Sequence, residues 1–393
     1  MSTTAVPRAH LTVVRGARLF DGAEVAAFAA PTVVIDGSRI TAAGDAVPVP
    51  EHAVLVDLPG ATLLPGLVDT HVHLALDASA DPVGRLAGQD DAALLAAMAD
   101  AARTAARAGV TTVRDLGDRD FLSLDLRASA DPTLPTIVAS GPPLTTPAGH
   151  CHFLGGATAD IRAAVHAHAE RGVDVIKVMA SGGNLTPGSR PELPQFEPDE
   201  LRVGVDEAHR HGLPITTHVH STRAVAAALA AGVDGLEHVT FMTADGVDPV
   251  PADLLAEIVA RQVVLGLTVG SVPGAPILAP MAARMPALLA NVRLLCASGA
   301  SVVAGTDGGV SPGKPHDVLP YAIETLTRVG MSPADALVAA TSRAAEVCGL
   351  DDRKGRLVPG FDADLLAVDG DPLHEPAALR RVRAVFVRGV RVR

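Results

Sequence analysis

Leu67-Val68-Asp69-Thr70-His71-Val72-His73 is a short apolar run that ends in two histidines separated by one residue. Alternate residues of a strand lie on the same face, so both imidazoles can contact one metal ion. Four other apolar runs also end in a residue that can bind metal, namely Lys177, His218, His238 and Asp307. If these runs are strands of one barrel, their C-terminal ends meet at one rim. The sequence therefore predicts a metal site at that rim.

A unit of amphipathic helix, glycine, short strand and polar residue recurs from about residue 67. The predicted helices cover residues 90–108, 159–171, 198–211, 222–231 and 286–298, and a glycine follows each of them. Glycine suits the end of a helix because it adopts positive φ without a Cβ clash. The predicted strands lie near residues 67, 111, 136, 174, 214, 235, 263 and 301.

Helices that alternate with buried strands are typical of the α/β class with a parallel sheet, and eight such units favour a closed (β/α)8 TIM barrel. An open doubly wound sheet is the alternative, although no glycine-rich phosphate loop accompanies it. Both ends of the chain differ from this pattern. Short strands are predicted at 13–14, 32–37, 39–44, 54–57, 364–369 and 382–392. We therefore expect a small β-sandwich domain built from residues 1–66 and 351–393, with the barrel formed by residues 67–350.

Charge and composition limit the classes of partner. The 32 Lys and Arg residues against 44 Asp and Glu residues give a formal charge of −12, which argues against nucleic acid or an anionic membrane surface. No apolar run approaches the length of about 18 residues that a membrane span needs. Residues 1–10 lack a signal-peptide pattern, and the three cysteines form no disulfide framework. We expect a cytoplasmic protein that acts on a small molecule, and a homo-oligomer is compatible with the sequence.

Three segments carry a family resemblance. Residues 65–73, Gly305-Thr306-Asp307 and residues 360–365 resemble the amidohydrolase superfamily, and the match extends over nearly the whole chain. Residues 176–183, 206–209 and 215–220 are similar to the branch of metal-dependent prolidases, Xaa-Arg carboxypeptidases and imidazolonepropionase-related hydrolases. The resemblance implies a metal-dependent hydrolase that acts on carbon–nitrogen bonds.

The resemblance also implies two divalent ions, with Zn²⁺ expected and Mn²⁺ or Co²⁺ compatible with the same ligand types. His71, His73 and Asp307 would hold the first ion, and His218 and His238 the second. Lys177 would be carboxylated and bridge both. Burial lowers the pKa of a lysine, and a neutral amine can react with CO2 to form an anionic carbamate. A lysine paired with a carboxylate inside the barrel is the alternative.

The expected mechanism uses a hydroxide that bridges the metal ions, because metal binding brings the pKa of water from 15.7 to about 7. Asp307 would act as general acid and base by taking the proton of this hydroxide and passing it to the leaving nitrogen. Asp115, at the end of the second strand, is expected either to orient a histidine ligand or to contact Arg114.

Three residues are candidates for substrate binding. His150 lies in Gly149-His150-Cys151-His152, which resembles the Gly-Gly-His substrate loop of relatives, although Ala148 stands where a glycine is usual. His220 repeats the His-x-His spacing and would line the pocket. Arg190, in a lid-like loop at 181–198, could bind a substrate carboxylate as a bidentate fork or be a surface arginine. A weaker hypothesis is that residues 150–152 form a metal clip.

The sequence is compatible with more than one class of substrate. The leading hypothesis is hydrolysis of the amide bond of a peptide-like or N-acyl amino acid substrate. A cyclic amide or a lactone, opened in the manner of imidazolonepropionase, is the alternative. A metal-free scaffold without catalytic activity is the third possibility, although every ligand position is filled.

Overall fold

The computed structural model describes residues 11–23, 25–26, 30–277 and 279–393. Residues 1–10, which entered the prediction of localisation, lie outside the described residues. The strands are β1 (Thr12–Arg15), β2 (Arg18–Phe20), β3 (Val25–Ala26), β4 (Pro31–Asp36), β5 (Arg39–Asp45), β6 (Val54–Asp57), β7 (Ala61–Pro65), β8 (Leu67–Val72), β9 (Val110–Asp115), β10 (Thr136–Ala139), β11 (Ile176–Met179), β12 (Ile215–Val219), β13 (Gly235–His238), β14 (Val264–Leu267), β15 (Val302–Ala304), β16 (Leu365–Asp369), β17 (Val382–Val387) and β18 (Val390–Arg391).

The helices alternate with the strands in the middle of the chain. They are α1 (Pro82–Ala87), α2 (Asp91–Arg107), α3 (Leu122–Ala128), α4 (Ile161–Arg171), α5 (Pro198–Arg210), α6 (Thr222–Ala231), α7 (Ala252–Arg261), α8 (Ala279–Ala297), α9 (Leu319–Arg328), α10 (Pro333–Val338) and α11 (Ser342–Val347). Among the described residues, no helix has both the length and the apolar character that a membrane crossing requires.

Strands β8 to β15 are parallel and form two hydrogen-bonded sheets, β10-β9-β8 and β11-β12-β13-β14-β15. Parallel bridges join the two sheets at both edges, one between Val72 and Gly308 and one between Leu144 and Val178. At the first edge, the His73 N–H donates to the Gly308 carbonyl at 2.9 Å. At the second edge, the Leu144 N–H donates to the Lys177 carbonyl at 2.8 Å. The chain therefore has the parallel α/β arrangement that the alternating pattern predicts.

Glycines end two of these helices as the sequence predicts. Gly172, at φ 80°, caps α4, and Gly232, at φ 93°, caps α6, both in the left-handed conformation. The predicted start of the long helix at residue 286 was wrong. Helix α8 begins at Ala279 and includes Pro286 within its length. A proline inside a helix lacks one backbone donor and its ring crowds the preceding turn, which is why the sequence favoured a helix that starts at this residue.

The remaining strands form two sheets, β5-β4-β1-β6 from the N-terminal part of the chain and β18-β17-β16-β7-β2-β3 from both ends. Strand β16 pairs antiparallel with β7, with Leu365 opposite Pro65. One apolar cluster contains residues of both sheets, including Val14, Val33, Leu63, Leu365 and Phe386. The sequence missed β2, β3 and β7. The residues of β7 are buried throughout, so this strand lacks the alternation that identifies a half-exposed strand.

Candidate metal centre

The first group of side chains gathers at the ends of β8 and β15. Asp307 Oδ1 lies 3.6 Å from His71 Nε2 and 3.3 Å from His73 Nε2. The other ring nitrogen of each histidine is hydrogen-bonded on the side away from Asp307. His71 Nδ1 is 2.8 Å from Glu237 Oε2, and His73 Nδ1 is 3.0 Å from the Gly117 carbonyl. With each Nδ1–H donating outward, both Nε2 lone pairs face Asp307. This group can hold one cation.

A second group consists of His218, His220 and His238, whose ligand atoms lie within 4.8 Å of one another. His220 Nδ1 is 2.8 Å from Thr240 Oγ1, and His238 Nδ1 is 2.7 Å from Thr268 Oγ1. His218 Nε2 is 3.1 Å from the backbone carbonyl of Gly182. The structure thus brings His220 into the same group as the two predicted ligands.

Lys177 lies between residues of both groups. Its side chain is 1% exposed, and Nζ is 3.3 Å from His71 Nε2. The His71 and His238 rings are 4.9 Å apart, so the two groups adjoin one another. Burial lowers the pKa of Lys177 to about 8. Among the described residues, no carboxylate forms an ion pair with this lysine, which argues against the alternative of a simple buried salt bridge.

The imidazoles of His71, His218 and His238 are neutral near pH 7. Burial would also lower the pKa of His73, but its hydrogen bond to Asp307 and the charge of that carboxylate outweigh burial and raise it. Burial, together with the charge of Lys177, lowers the pKa of His71 to about 4. Burial likewise holds the pKa of His218 and His238 well below the usual range. Burial alone would raise the pKa of Asp307, but His73, His71 and Lys314 together hold it well below the usual value. Neutral imidazoles and an ionised carboxylate are the states that bind a divalent metal, so His71, His218, His238 and Asp307 fit such an ion, and binding would displace a proton from His73.

The backbone at two of these residues is strained. His238 has φ 70° and Asp307 has φ 61°, in the left-handed region that residues with a Cβ seldom adopt. Such conformations cost about 1–3 kcal/mol each and cluster at functional sites. The left-handed backbone at His238 interrupts the alternation of side chains between the two faces of the strand. As a result, Glu237 bonds to His71 while the neighbouring His238 ring also lies against His71.

Comparison of the sequence with known proteins identifies the family of this chain. Residues 62–392 match the model of the amidohydrolase family. The chain belongs to the amidohydrolase family. Ochratoxinase of Aspergillus niger is 28% identical over 361 residues, covering 82% of this chain and 73% of the relative. Imidazolonepropionase of Streptomyces griseus subsp. griseus is 27% identical over 430 residues, covering 100% of both chains.

A solved structure of a prolidase is similar to this chain in fold. The structure of a prolidase in complex with N-methylphosphonate-L-proline has a TM-score of 0.82 and 25% identity, covering 97% of this chain and 99% of that chain. The resemblance inferred from the motifs is therefore confirmed. This amidohydrolase is an enzyme that hydrolyses carbon–nitrogen bonds. Its histidine and aspartate groups can bind metal, as is general in the family.

Glu237 is a buried residue of this amidohydrolase that the sequence did not single out. Besides His71, its carboxylate accepts hydrogen bonds from Arg114 at 2.9 Å and from Thr216 Oγ1 at 2.8 Å. Burial would raise its pKa, but Arg114 and His71 outweigh burial and lower the pKa to about 2. Glu237 therefore stays ionised, fixes the His71 tautomer and orients the Nε2 lone pair.

Glu237→Gln is expected to lower metal affinity about 10- to 100-fold, the usual effect of losing a partner that orients a ligand histidine. The amide leaves the Arg114 cation without its buried counter-charge, so thermal stability falls as well. Competition with a chelator measures the affinity. Glu257→Gln is the matched control, because that carboxylate pairs with Arg261 on the exposed surface of α7. Equal metal affinity in the two variants would contradict the role assigned to Glu237.

Asp115 and Arg114 do not contact each other as one hypothesis had it. Asp115 accepts hydrogen bonds from the N–H groups of Leu74 at 3.2 Å and Gly117 at 3.1 Å. Since the Gly117 carbonyl in turn contacts His73 Nδ1, Asp115 braces the loop that orients His73. Arg114 instead reaches the Thr70 carbonyl at 2.7 Å and Glu237.

The candidate substrate residues lie in different surroundings. His150 is 4% exposed, and its ring lies 4.9 Å from that of His218. Ala148, which replaces the usual glycine, has φ 60°, a conformation that glycine adopts at lower cost. Arg190 points toward solvent with its side chain 57% exposed, and its Nε donates to Glu192 at 2.6 Å. No metal-binding group among the described residues includes Cys151.

Two further charged residues support the ends of β14 and β15. Lys314 Nζ donates to the Thr268 carbonyl at 2.9 Å and to the Thr306 carbonyl at 2.6 Å. Asp69 accepts from Thr306 Oγ1 at 2.7 Å, and burial raises its pKa to about 7. Asp69 belongs to the sequence motif of the first metal-binding strand and lies directly before Thr70-His71. Lys314 carries no comparable signal, because it lies in a loop whose path depends on the tertiary structure.

Proposed function

We propose that this amidohydrolase is a binuclear metal hydrolase that cleaves an amide bond of a peptide-like or N-acyl amino acid substrate. The supporting observation is that two groups of metal-binding side chains adjoin at a buried lysine. His71, His73 and Asp307 would hold one ion, and His218 and His238 the other. A carbamate on Lys177 would bridge them.

The fold proposed for this activity is a closed (β/α)8 barrel of residues 67–350 and a β-sandwich of residues 1–66 and 351–393. Two parallel bridges between the sheets support closure, because they link the free edges of both. Active sites of such barrels lie at the C-terminal ends of the strands. The end residues of β8, β12, β13 and β15 supply the proposed ligands.

Lys177 would become a metal ligand by reacting with CO2. The neutral amine attacks the carbon of CO2, the new C–N bond forms as one C=O π bond opens, and the nitrogen loses one proton to solvent. A carbamate remains, with one negative charge shared by its two oxygens. The contact with His71 Nε2 at 3.3 Å supports this state, since an ammonium ion at that distance would repel a bound cation. The carbamate instead adds negative charge where two cations would meet.

The recovery of activity by metal-depleted enzyme should depend on pH through this lysine. Its pKa of about 8 means that the amine is mostly protonated at pH 6. From pH 6 to pH 8 the fraction of Lys177 in the neutral amine form rises about fifty-fold. At constant concentrations of dissolved CO2 and Zn²⁺, the initial rate of reactivation should rise by the same factor. Stopped assays after mixing measure this rate. A rate that is flat or that falls toward pH 8 would argue against carbamate formation.

Two bound divalent ions would supply a water of lowered pKa and would polarise the substrate carbonyl. The residues of this chain would then move the proton. Asp307, which is ionised in the structure, takes the proton released when the oxygen nucleophile attacks the carbonyl carbon. It returns that proton to the nitrogen as the C–N bond breaks, so that the amine leaves in neutral form. His73, 3.3 Å from Asp307, keeps the carboxylate in place.

His150 and His220 are proposed to contact the substrate. The His150 ring lies beside His218 and is almost fully buried, and burial lowers its pKa to about 3. A neutral imidazole can donate one hydrogen bond to the substrate carbonyl or carboxylate. His220 faces the same group with its Nε2, because Nδ1 is held by Thr240. Arg190 would reach a substrate only after leaving Glu192.

The relatives favour amino acid derivatives among the amides. The similar prolidase was solved with a phosphonate derivative of L-proline, and ochratoxinase is another relative. A cyclic amide is the second candidate, because the imidazolonepropionase relative aligns over the full length of this chain. The buried Lys177 favours the first candidate, since the imidazolonepropionase type commonly uses one metal and lacks this lysine.

A substrate screen tests the proposal. The Zn²⁺-loaded enzyme is assayed with dipeptides, N-acyl amino acids, cyclic amides and lactones, and bound metal is counted in the same preparation. We expect hydrolysis of dipeptides or N-acyl amino acids by protein with two ions per chain. One ion per chain together with preferential opening of cyclic amides or lactones would favour the second candidate and overturn the first.

A further inference from the structure

Two helices on the outside of the parallel strands bring together a third His-rich group. His166 on α4, Glu207 on α5 and His211 at the end of α5 each offer one ligand atom. His166 Nδ1 is 3.1 Å from His211 Nε2, and His211 Nε2 is 3.2 Å from Glu207 Oε1. The third edge of this triangle, from His166 Nδ1 to Glu207 Oε1, is 3.7 Å.

These spacings match a tetrahedral zinc site. Ligands that lie about 2.0–2.2 Å from a tetrahedral Zn²⁺ are separated from each other by about 3.3–3.6 Å. The three outer edges of 3.1, 3.2 and 3.7 Å differ from this range by at most about 0.2 Å, and the edges of 3.3 and 3.6 Å around Asp307 in the metal centre fall inside it. The outer triangle therefore has the dimensions of three ligands on one ion, with room for water as the fourth.

The Glu170 carboxylate lies on the far side of the His166 ring from the triangle and favours the His166 tautomer that metal binding requires. His166 Nε2 lies 3.3 Å from Glu170 Oε1, one turn further along α4. An Nε2–H that donates to this carboxylate leaves the Nδ1 lone pair facing His211 and Glu207. Such a carboxylate–histidine arrangement is typical of metal ligands. Glu207 is only 4% exposed, which reduces the entropy lost when it binds.

One cation competes for the same atoms. Arg210 Nη2 contacts Glu207 Oε1 and lies 3.0 Å from His211 Nε2. Arg162 approaches the other carboxylate oxygen, Oε2, at 3.4 Å. The Arg210 side chain is 59% exposed, so it can turn into solvent when an ion takes its place. Arg210 therefore sets the affinity of the site without closing it.

We propose that His166, Glu207 and His211 form a surface site for a divalent transition metal, with Zn²⁺ preferred. The bound ion would clamp α4 to α5, the helices that precede β11 and β12. These strands carry Lys177 and His218, so the clamp would stabilise the scaffold of the metal centre from outside. The site is separate from the two groups at the strand ends.

Counting zinc tests the site. Enzyme that retains its tightly bound metal is dialysed against a series of free Zn²⁺ concentrations, and zinc per chain is measured by mass spectrometry. Wild-type protein should bind one more ion than the His166→Ala/His211→Ala variant, and its melting temperature should rise with Zn²⁺ while that of the variant does not. Arg210→Gln should bind the extra ion about tenfold more tightly, because the competing guanidinium is gone.

His209→Ala is the matched control, because His209 lies on the same helix but pairs with Asp234 instead. It should bind as much zinc as the wild type. The comparison is independent of the proposed function, since it counts the difference between variants, whether the metal centre holds two ions, one or none. Equal zinc content in wild type, Arg210→Gln and the double variant would overturn the proposal, as would loss of the extra ion in the control.

Discussion

Lys177→Ala is expected to lower kcat/KM by roughly 10³-fold or more and to reduce the bound metal from two ions per chain to one or none. Removing a single stabilising group from an active site already costs about 10²–10³-fold, and here the change also removes the bridge between two ions. The side chain is buried within β11 and contacts His71, so alanine leaves the ligands without their shared anion. Steady-state kinetics and metal analysis of the same preparation measure both effects.

Lys354→Met is the matched control for this variant. Lys354 is 2% exposed, nearly as buried as Lys177, but it pairs with Asp362 and Asp364 at 2.9 and 2.6 Å near the terminal strands. The control should lose thermal stability, because two carboxylates lose the buried ammonium ion that they share, while kcat of the folded protein stays unchanged. A Lys177→Ala enzyme that kept more than about a tenth of its activity and both ions would refute the bridging role.

Asp307→Asn is expected to lower kcat by about 10²–10⁴-fold, the usual contribution of general acid–base catalysis. The amide has nearly the same shape but cannot accept the proton. Asparagine also tolerates the left-handed backbone at φ 61°, so the local fold should be preserved. A thermal melt close to that of the wild type would show that the loss is chemical.

The metal content separates the two roles of Asp307. If the variant keeps two ions and still loses activity, proton transfer is the dominant role. If it loses the ion next to His71 and His73, the ligand role dominates, and excess Zn²⁺ should restore part of the rate. A kcat within tenfold of the wild type, with both ions bound, would contradict the assignment of Asp307 as general acid and base.

The sequence predicted the parallel α/β arrangement because its signals are local. Helices that end at glycines such as Gly172 and Gly232, followed by short apolar strands, can be identified without tertiary information. The same applies to His71 and His73, since strand alternation alone puts both side chains on one face. The histidine and aspartate ligands stand at or just after strand ends, and the structure gathers them because parallel strands end at the same edge. Lys177 is the exception, because it is the second of the four residues of β11.

Other parts of the centre depend on the tertiary structure. Strand alternation predicts that Glu237 and His238 face opposite ways, but the left-handed backbone at His238 brings both against His71. His220 was expected to line the pocket, and only the three-dimensional packing brings it into the group with His218 and His238. The orientation of Arg190 toward Glu192 likewise depends on a loop whose path the sequence does not determine.

Diffraction from crystals of active enzyme, with data collected on both sides of the metal absorption edge, tests the account most directly. The account predicts two anomalous peaks, one beside His71, His73 and Asp307 and the other beside His218 and His238. Between them, electron density at Lys177 should extend three atoms beyond Nζ. A bare amine beside a single peak, in crystals of fully active enzyme, would contradict it.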